Sequence, residues 1–477
     1  MRITGMVLGC LVALQALLVA KNAASAGATD TTLADQTDIA LTAYNNGIGL
    51  VRDTREVSLS EGEMQLRFMD VAQQVRPETV GLRSVARPGS IAILEQNYEY
   101  DLMTPAKMME KYVGKDIKLV NLDKRVGLTE VGASLLSVNE GPVYKVGERI
   151  YLGHPANVVL PEIPANLVAK PSLIWTVSNT APDQKLELTY LTNGVTWKAD
   201  YVLTLAKDEK SLDLTAWVTM NNQSGATYTN AQLKLVAGEV NLAPQVVDGG
   251  GGLEVHDLTV QYDKAPEEMP REEAFGEYHL YTVPRRTTIK ENQSKQIMLL
   301  EAPGVKCAKK YEYRGEESFY SQQMEPTENE HVPVYLEFEN KKENQVGLPL
   351  PAGVMRIYQE DSGGMLQFTG EDTVKHTPKD EKVTLHMGDA FDLVASRVQK
   401  DFNQVASNLT ESAYEITLRN HKDTDVVVDV VEPMPGDWRI IEKSQEFTKK
   451  DARTAVFSVP VKKDGEAKVT YRVQVKF

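Results

Sequence analysis

An all-β protein is the expectation from this sequence, and three observations carry it. First, apolar and polar residues alternate at a two-residue period in segment after segment. The clearest is 190–205, where Val195, Trp197, Ala199, Tyr201, Leu203 and Leu205 share one phase and Thr196, Lys198, Asp200 and Thr204 the other, as in a strand with one buried and one mostly wet face. Second, turn chemistry separates these segments: Asn193-Gly194, which predicts a tight hairpin between the alternating runs on either side of it, Ser60-Glu-Gly62 and Asp361-Ser-Gly-Gly364. Third, no amphipathic helix pattern runs beyond about three turns. The fold class expected is multi-domain β-sandwiches with a small SH3-like barrel insertion and one short helix.

The chain has 477 residues, too many for one ordinary core, so several domains are expected. At 42% hydrophobic and 25% charged the composition is that of a globular protein and excludes a disordered one. Residues 1–26 read as a secretory signal peptide: Arg2 supplies the basic region, 6–20 the apolar run, and Ala24-Ser25-Ala26 the small-residue cleavage site, with cleavage after Ala26. That run is short for a membrane span, and no later stretch reaches spanning length. Val7-Leu-Gly-Cys10 is a poor match to a lipoprotein box, because the apolar run continues past Cys10. Cleavage leaves Cys307 as the one cysteine, which excludes an intramolecular disulfide and fits a bacterial envelope compartment better than animal secretion. In that compartment the sequons at Asn222, Asn292 and Asn408 carry no meaning. Formal net charge is −15, and the signal removes two positive charges and no acid, so the mature chain is more acidic still. Such a chain is a poor partner for nucleic acid or anionic lipid, and no basic cluster with interleaved aromatics offsets that.

In chain order, 27–36 is a flexible leader and 37–108 a set of N-terminal β-strands at 39–44, 49–59, 64–69, 80–85 and 91–94. Gly47-Ile-Gly49 lacks the following helix a phosphate loop needs and is a turn. Thr104-Pro105 opens a short helix over 106–112. Short alternating runs spaced by Gly114, Gly127, Gly132, Gly141 and Gly147 predict a small SH3-like barrel over 109–165. A central β-sandwich is expected over 166–245. The Gly-rich and acidic linker with a hairpin spans 246–332, including four glycines at 249–252. A β domain over 333–400 and a C-terminal β-sandwich over 401–477 complete the chain.

No His-Glu-x-x-His, Gly-x-Ser-x-Gly, Walker loop or Cys-x-x-Cys is present. Two groups of residues are chemically suggestive. Glu254, His256 and Asp257 could form half of a divalent-metal site, although they border the glycine run. Glu371, Asp372, His376, Asp389 and Asp392 could form a carboxylate-rich pocket for acid–base work or Ca²⁺, although turns between strands are ordinarily rich in such residues. Neither group is assigned as a catalytic, metal or cofactor site. Cys307 reads as an inert thiol, and Trp175, Trp197, Trp217 and Trp438 read as core.

Leu188-Thr-Tyr-Leu-Thr-Asn-Gly-Val-Thr-Trp-Lys-Ala-Asp-Tyr201, Trp217-Val-Thr-Met-Asn-Asn-Gln-Ser-Gly225 and Leu235-Val-Ala-Gly-Glu-Val240 together resemble a bacterial family, the domain of unknown function that forms the C-terminal part of mucoidy-inhibitor proteins. Leu348-Pro-Leu-Pro-Ala-Gly353, Gly370-Glu-Asp372, His376-Thr-Pro378, Gly388-Asp-Ala-Phe-Asp392 and Asn420 continue the resemblance, over about residues 37–477. It implies a secreted, β-rich envelope protein with no established activity and brings no catalytic residues. The coiled-coil segment that precedes the domain in those proteins is absent here, so no role resting on it, capsule control included, carries over.

Two functional readings and one architectural alternative follow. The first is a non-enzymatic binding or scaffold protein that engages an envelope protein or glycan through its sheets and loops. The second is a metal-dependent hydrolase using the acidic cluster within 371–392. The alternative architecture is an outer-membrane barrel, because Val469, Tyr471, Val473, Val475 and Phe477 alternate with polar residues in the last strand.

Overall fold

The computed structural model describes residues 28–99, 103–123, 127–153, 157–164, 167, 171–238, 240–242 and 269–477. The expected signal peptide, Cys10, the glycine run and Glu254, His256 and Asp257 lie outside them. The described chain is all-β, as expected, and its one α-helix is Pro105–Lys111. The Thr104 hydroxyl caps that helix by accepting from Lys107 N at 3.2 Å, and proline stands at its start. No helix among the described residues is long and apolar enough to cross a membrane.

Contacts divide the chain into two compact units. The first comprises Met1–Thr196, Asn221–Leu235 and Arg285–Gln293, and the second Trp197–Met220, Val236–Pro284 and Ser294–Phe477. In the first unit, Gly62–Met69 lies between Ala28–Thr31 and Ser172–Asn179, with Ile91–Glu99 beyond. A second sheet runs Gln36–Tyr44, Ile48–Ser58, Asp183–Asn193, Gly81–Ser84. Buried Arg55 bridges the two sheets. It pairs with Asp53 at 2.8 Å, donates to the carbonyls of Thr31 and Met69, and lies 3.8 Å over the Phe68 ring.

The glycine-spaced segment forms a five-stranded antiparallel sheet in the order Arg149–Leu152, Val143–Val146, Gly127–Ser137, Asp116–Asp123, Asn157–Val159. Tyr112, Ile117, Leu119, Ala133, Leu135 and Tyr144 form its own small core. The sheet is open and not a closed barrel. Its edge strands have only 4 and 3 residues and do not pair with each other, so the ring that closure requires is not completed.

In the second unit the central order is Leu366–Val374, Gly353–Glu360, Val195–Leu205, Ser211–Asn222, Gln293–Arg314, Thr327–Glu339, Lys382–Ala406, Leu409–Asn420, Gly465–Lys476, Asp437–Lys443. Val426–Pro433, Thr454–Val461 and Thr448–Asp451 branch from it. Tyr414, Ile416, Val469, Val473 and Val475 pack against Val428, Val430, Phe457 and Val459 in one core. The apolar phase of the last strand therefore faces protein. That is the packing of a sandwich strand, whereas a membrane-barrel strand turns its apolar phase to lipid. The sheets are open throughout.

Strand Val195–Leu205 buries the expected phase: Val195, Ala199, Tyr201 and Leu203 are fully inside. The tight hairpin expected at Asn193-Gly194 does not form. Asp183–Asn193 pairs with Ile48–Ser58 and Gly81–Ser84, while Val195–Leu205 pairs in parallel with Gly353–Glu360. Gly194 is thus the point where the chain changes sheets. Its φ of +78° and the Gln223 backbone, 2.8 Å from where a Cβ would stand, explain the glycine without a hairpin. Asp200, expected on the wet phase, is buried and bonded to Thr219 at 2.7 Å and Arg356 at 3.1 Å. Trp175, Trp197 and Trp438 are core residues; Trp217 is only half-buried because its phase is opposite to that of Leu214, Ala216 and Val218.

Four buried asparagines serve as clamps beside strand ends: Asn179, Asn222, Asn340 and Asn420. Each donates its side-chain amide to carbonyls of adjoining segments. Asn222 reaches Ala226, Ile289 and Lys290, and Asn420 reaches Thr424, Val461 and Lys462. The backbone groups of a strand end have no ladder partner, so a short two-headed amide is what satisfies them in a buried place.

Candidate functional site

Two of the five residues grouped within 371–392 serve structure. Glu371 pairs with Arg356 at 3.1 Å. Asp372 accepts from the backbone of Thr373 at 2.7 Å and of His386 at 2.8 Å. Asp389 lies 3.7 Å from His386 on an exposed surface, and Asp392 is also exposed. Gly370 stands where the Met387 carbonyl crosses, leaving no room for a Cβ. Among the described residues, no group of three or more His, Cys, Asp or Glu is arranged to hold a metal ion. His376 of this cluster lines a cavity.

That cavity is built from two short segments. Leu350 and Thr377 exchange backbone hydrogen bonds of 2.8 and 2.9 Å, joining Leu348-Pro-Leu-Pro351 to His376-Thr-Pro378. Asn340 holds both flanks: it donates to the carbonyls of Leu348 and Pro378 at 2.8 Å each and accepts from Gly347 N at 3.0 Å. Tyr201 donates to the Pro351 carbonyl at 2.7 Å, and Tyr281 to that of Pro349 at 2.8 Å. Burial, and then the neighbouring Tyr281, push the Tyr201 phenol well up; burial, and then Glu272, do the same to Tyr281. Both hydroxyls therefore keep their protons and remain donors. The Ala352 amide donates to His376 Nδ1 at 3.2 Å.

The opposite wall comes from Ala237, Gly238 and the hairpin Arg271–Phe275/Tyr278–Thr282, which contributes His279 and Tyr281, with Glu277 beside it. The pocket is about 210 Å³ and mostly apolar-walled. His279 Nδ1 lies 2.7 Å from Glu272. A carboxylate can only accept, so Nδ1 carries the proton and Nε2 is an acceptor while the ring is neutral.

A larger depression of about 370 Å³ lies beside Cys307. Four of its charges pair with one another, Lys341 with Glu339 at 2.6 Å and Lys382 with Glu337 at 3.2 Å. Burial, then Asp208 and Glu209, push the Cys307 thiol up to about 11, which leaves it protonated and inert as expected. This is a solvated charged face.

Sequence reasoning singled out His376 but not Glu272, His279, Tyr281 or Asn340. The missed signal was the run of prolines at 349, 351 and 378. A proline carbonyl still accepts while its nitrogen cannot donate, so such segments need hydroxyl or amide donors from elsewhere. Replacing Asn340 with alanine is expected to cost about 1–3 kcal/mol, because a fully buried amide and its two hydrogen bonds to part-buried carbonyls are lost. Chemical denaturation measures the loss, and amide exchange should quicken at 347–352 and 376–378. Unchanged exchange there would refute the clamp.

The model of one protein family, described as a domain of unknown function (DUF4139), matches residues 186–477, which contain every residue of this pocket. No curated protein matches the chain.

Proposed function

Because the chain belongs to the DUF4139 family, whose description assigns no activity, we propose a function from the site itself: a secreted envelope protein that binds, without chemistry of its own, one group of an envelope protein or glycan in the proline–histidine pocket. The observation that carries this is the construction of the pocket. Its walls are fixed by Asn340, Tyr201 and Tyr281, so the shape exists before any ligand arrives. A mostly apolar concavity with a few convergent polar groups is the usual form of a recognition site. Support for secretion comes from the N-terminal basic residue, apolar run and small-residue cleavage site.

Site-specific photocrosslinking in cells tests the reading. A benzoylphenylalanine at Thr377, in the pocket, is expected to capture an envelope component, while one at exposed Glu360 does not. N-terminal sequencing of the mature protein is expected to begin at Gly27. Equal labelling from both positions, or none from Thr377, would reject the pocket as the recognition site.

A further inference from the structure

We infer that the pocket takes a cationic group on an apolar stem, the side-chain end of a lysine or arginine of a partner protein, because Glu277 and His279, the latter bonded to Glu272, line a proline-walled cavity that no lysine or arginine among the described residues lines. The inference rests on the binding reading above and narrows it.

Size comes first. About 210 Å³ is below the 300–1,000 Å³ typical of cavities for whole small molecules, and suits a single side chain or ring. The polar capacity of the walls comes next. The carbonyls of Pro349, Leu350, Pro351, Thr377 and Pro378 each already accept a hydrogen bond. The prolines have no N–H, so this wall cannot extend a β-ladder to an incoming peptide backbone and offers an apolar surface to a stem. The charged groups left are one-sided, while the neutral His376 ring, its Nδ1 taken by the Ala352 amide, carries its proton on Nε2. Glu277 stands at the exposed rim and can only accept. His279, held by Glu272, has Nε2 as an acceptor. Lys375 and Lys379 flank the His376–Pro378 segment in sequence but do not line the cavity. An anion would find no counter-charge there, whereas an ammonium or guanidinium group finds acceptors and a carboxylate. The net charge of −15 steers basic partners toward the chain as a whole.

The test is a titration of the full mature protein, with ¹³C-labelled histidine, followed at the ring signals of His279 and His376. The probes are the N-acetyl N-methylamides of lysine, arginine, norleucine and glutamate, and N-acetylglucosamine. Lysine and arginine probes are expected to bind at least about tenfold tighter than norleucine, the scale of a charge-assisted hydrogen bond. Glu277→Gln and Glu272→Gln should each remove most of that preference and leave norleucine unchanged. Norleucine, glutamate or the sugar binding as tightly as lysine would overturn the cationic assignment and leave the pocket a binding site. Silence of every probe at both rings would overturn this inference, and with no Thr377 crosslink would overturn the binding reading too. The wild-type comparison alone decides the charge preference, should either variant fold poorly.

Discussion

Replacing Glu432 with alanine is expected to destabilise the C-terminal sandwich by about 3–5 kcal/mol, the scale for breaking a buried ion pair from one side. Glu432 and Arg397 are 0% and 1% exposed. Arg397 Nη1 lies 2.8 Å from one carboxylate oxygen of Glu432 and 3.0 Å from the other. Tyr320 donates to the same carboxylate at 2.7 Å, and its oxygen lies 2.9 Å from that of Tyr471. The guanidinium rests against the rings of Tyr313 and Phe319. Even the neighbouring chain is fitted to the pair: a Cβ on Gly315 would stand 2.5 Å from a Glu432 oxygen. Without the carboxylate, a full positive charge is left in an apolar core.

The pair is not perfectly compensated, however. Among the described residues no acceptor meets Arg397 Nη2, and Glu432 Oε1 has no aligned hydrogen bond. The double replacement Arg397→Met with Glu432→Leu is therefore expected to recover most of the loss, since well-packed apolar groups carry no desolvation penalty. Urea denaturation of the four proteins decides it. If Glu432→Ala shifts the midpoint no more than an exposed substitution does, or if the double variant is worse than the single, the interpretation fails.

Trp197→Ala should cost a similar amount, about 3–5 kcal/mol, from the cavity left by a buried indole. Trp197 is 3% exposed. Its strand pairs with Gly353–Glu360 from Ala199 onward, which places Pro351 and the pocket wall just beyond that pairing. The whole stability of a domain is typically only about 5–15 kcal/mol, so the loss is a large share. Pocket crosslinking at Thr377 should fall with it. Gly194→Val is expected to destabilise through a different cause, positive φ together with a clash on Gln223 and Gln74. Melting of either variant within error of the wild type would contradict the burial or the backbone geometry described above.

The particular residues show where local pattern suffices. Alternation at 195–205 and 469–475 assigned the buried faces correctly, because the period of a strand is a property of the strand alone. The Thr104-Pro105 helix start was legible for the same reason. The family resemblance at Leu348–Gly353 and His376–Pro378 marked segments that do build the pocket. Alternation could not say which strands pair. Asn193-Gly194 has the composition of a hairpin, yet its two strands belong to different sheets. The acidic residues of 371–392 are close in sequence and look like a site, but three-dimensional neighbours consume Glu371 and Asp372.

What the sequence by itself determined, then, is the fold class, the inward face of the long strands and the helix start. What only the tertiary structure decided is strand pairing, the burial of Arg397 with Glu432, and the assembly of the pocket from Tyr201, Tyr281, Asn340 and His376. The physical reason is range. Periodicity and capping depend on residues a few positions apart, whereas a buried charge or a proline carbonyl is satisfied by donors that sequence separation does not limit and that only the folded chain brings within about 3 Å.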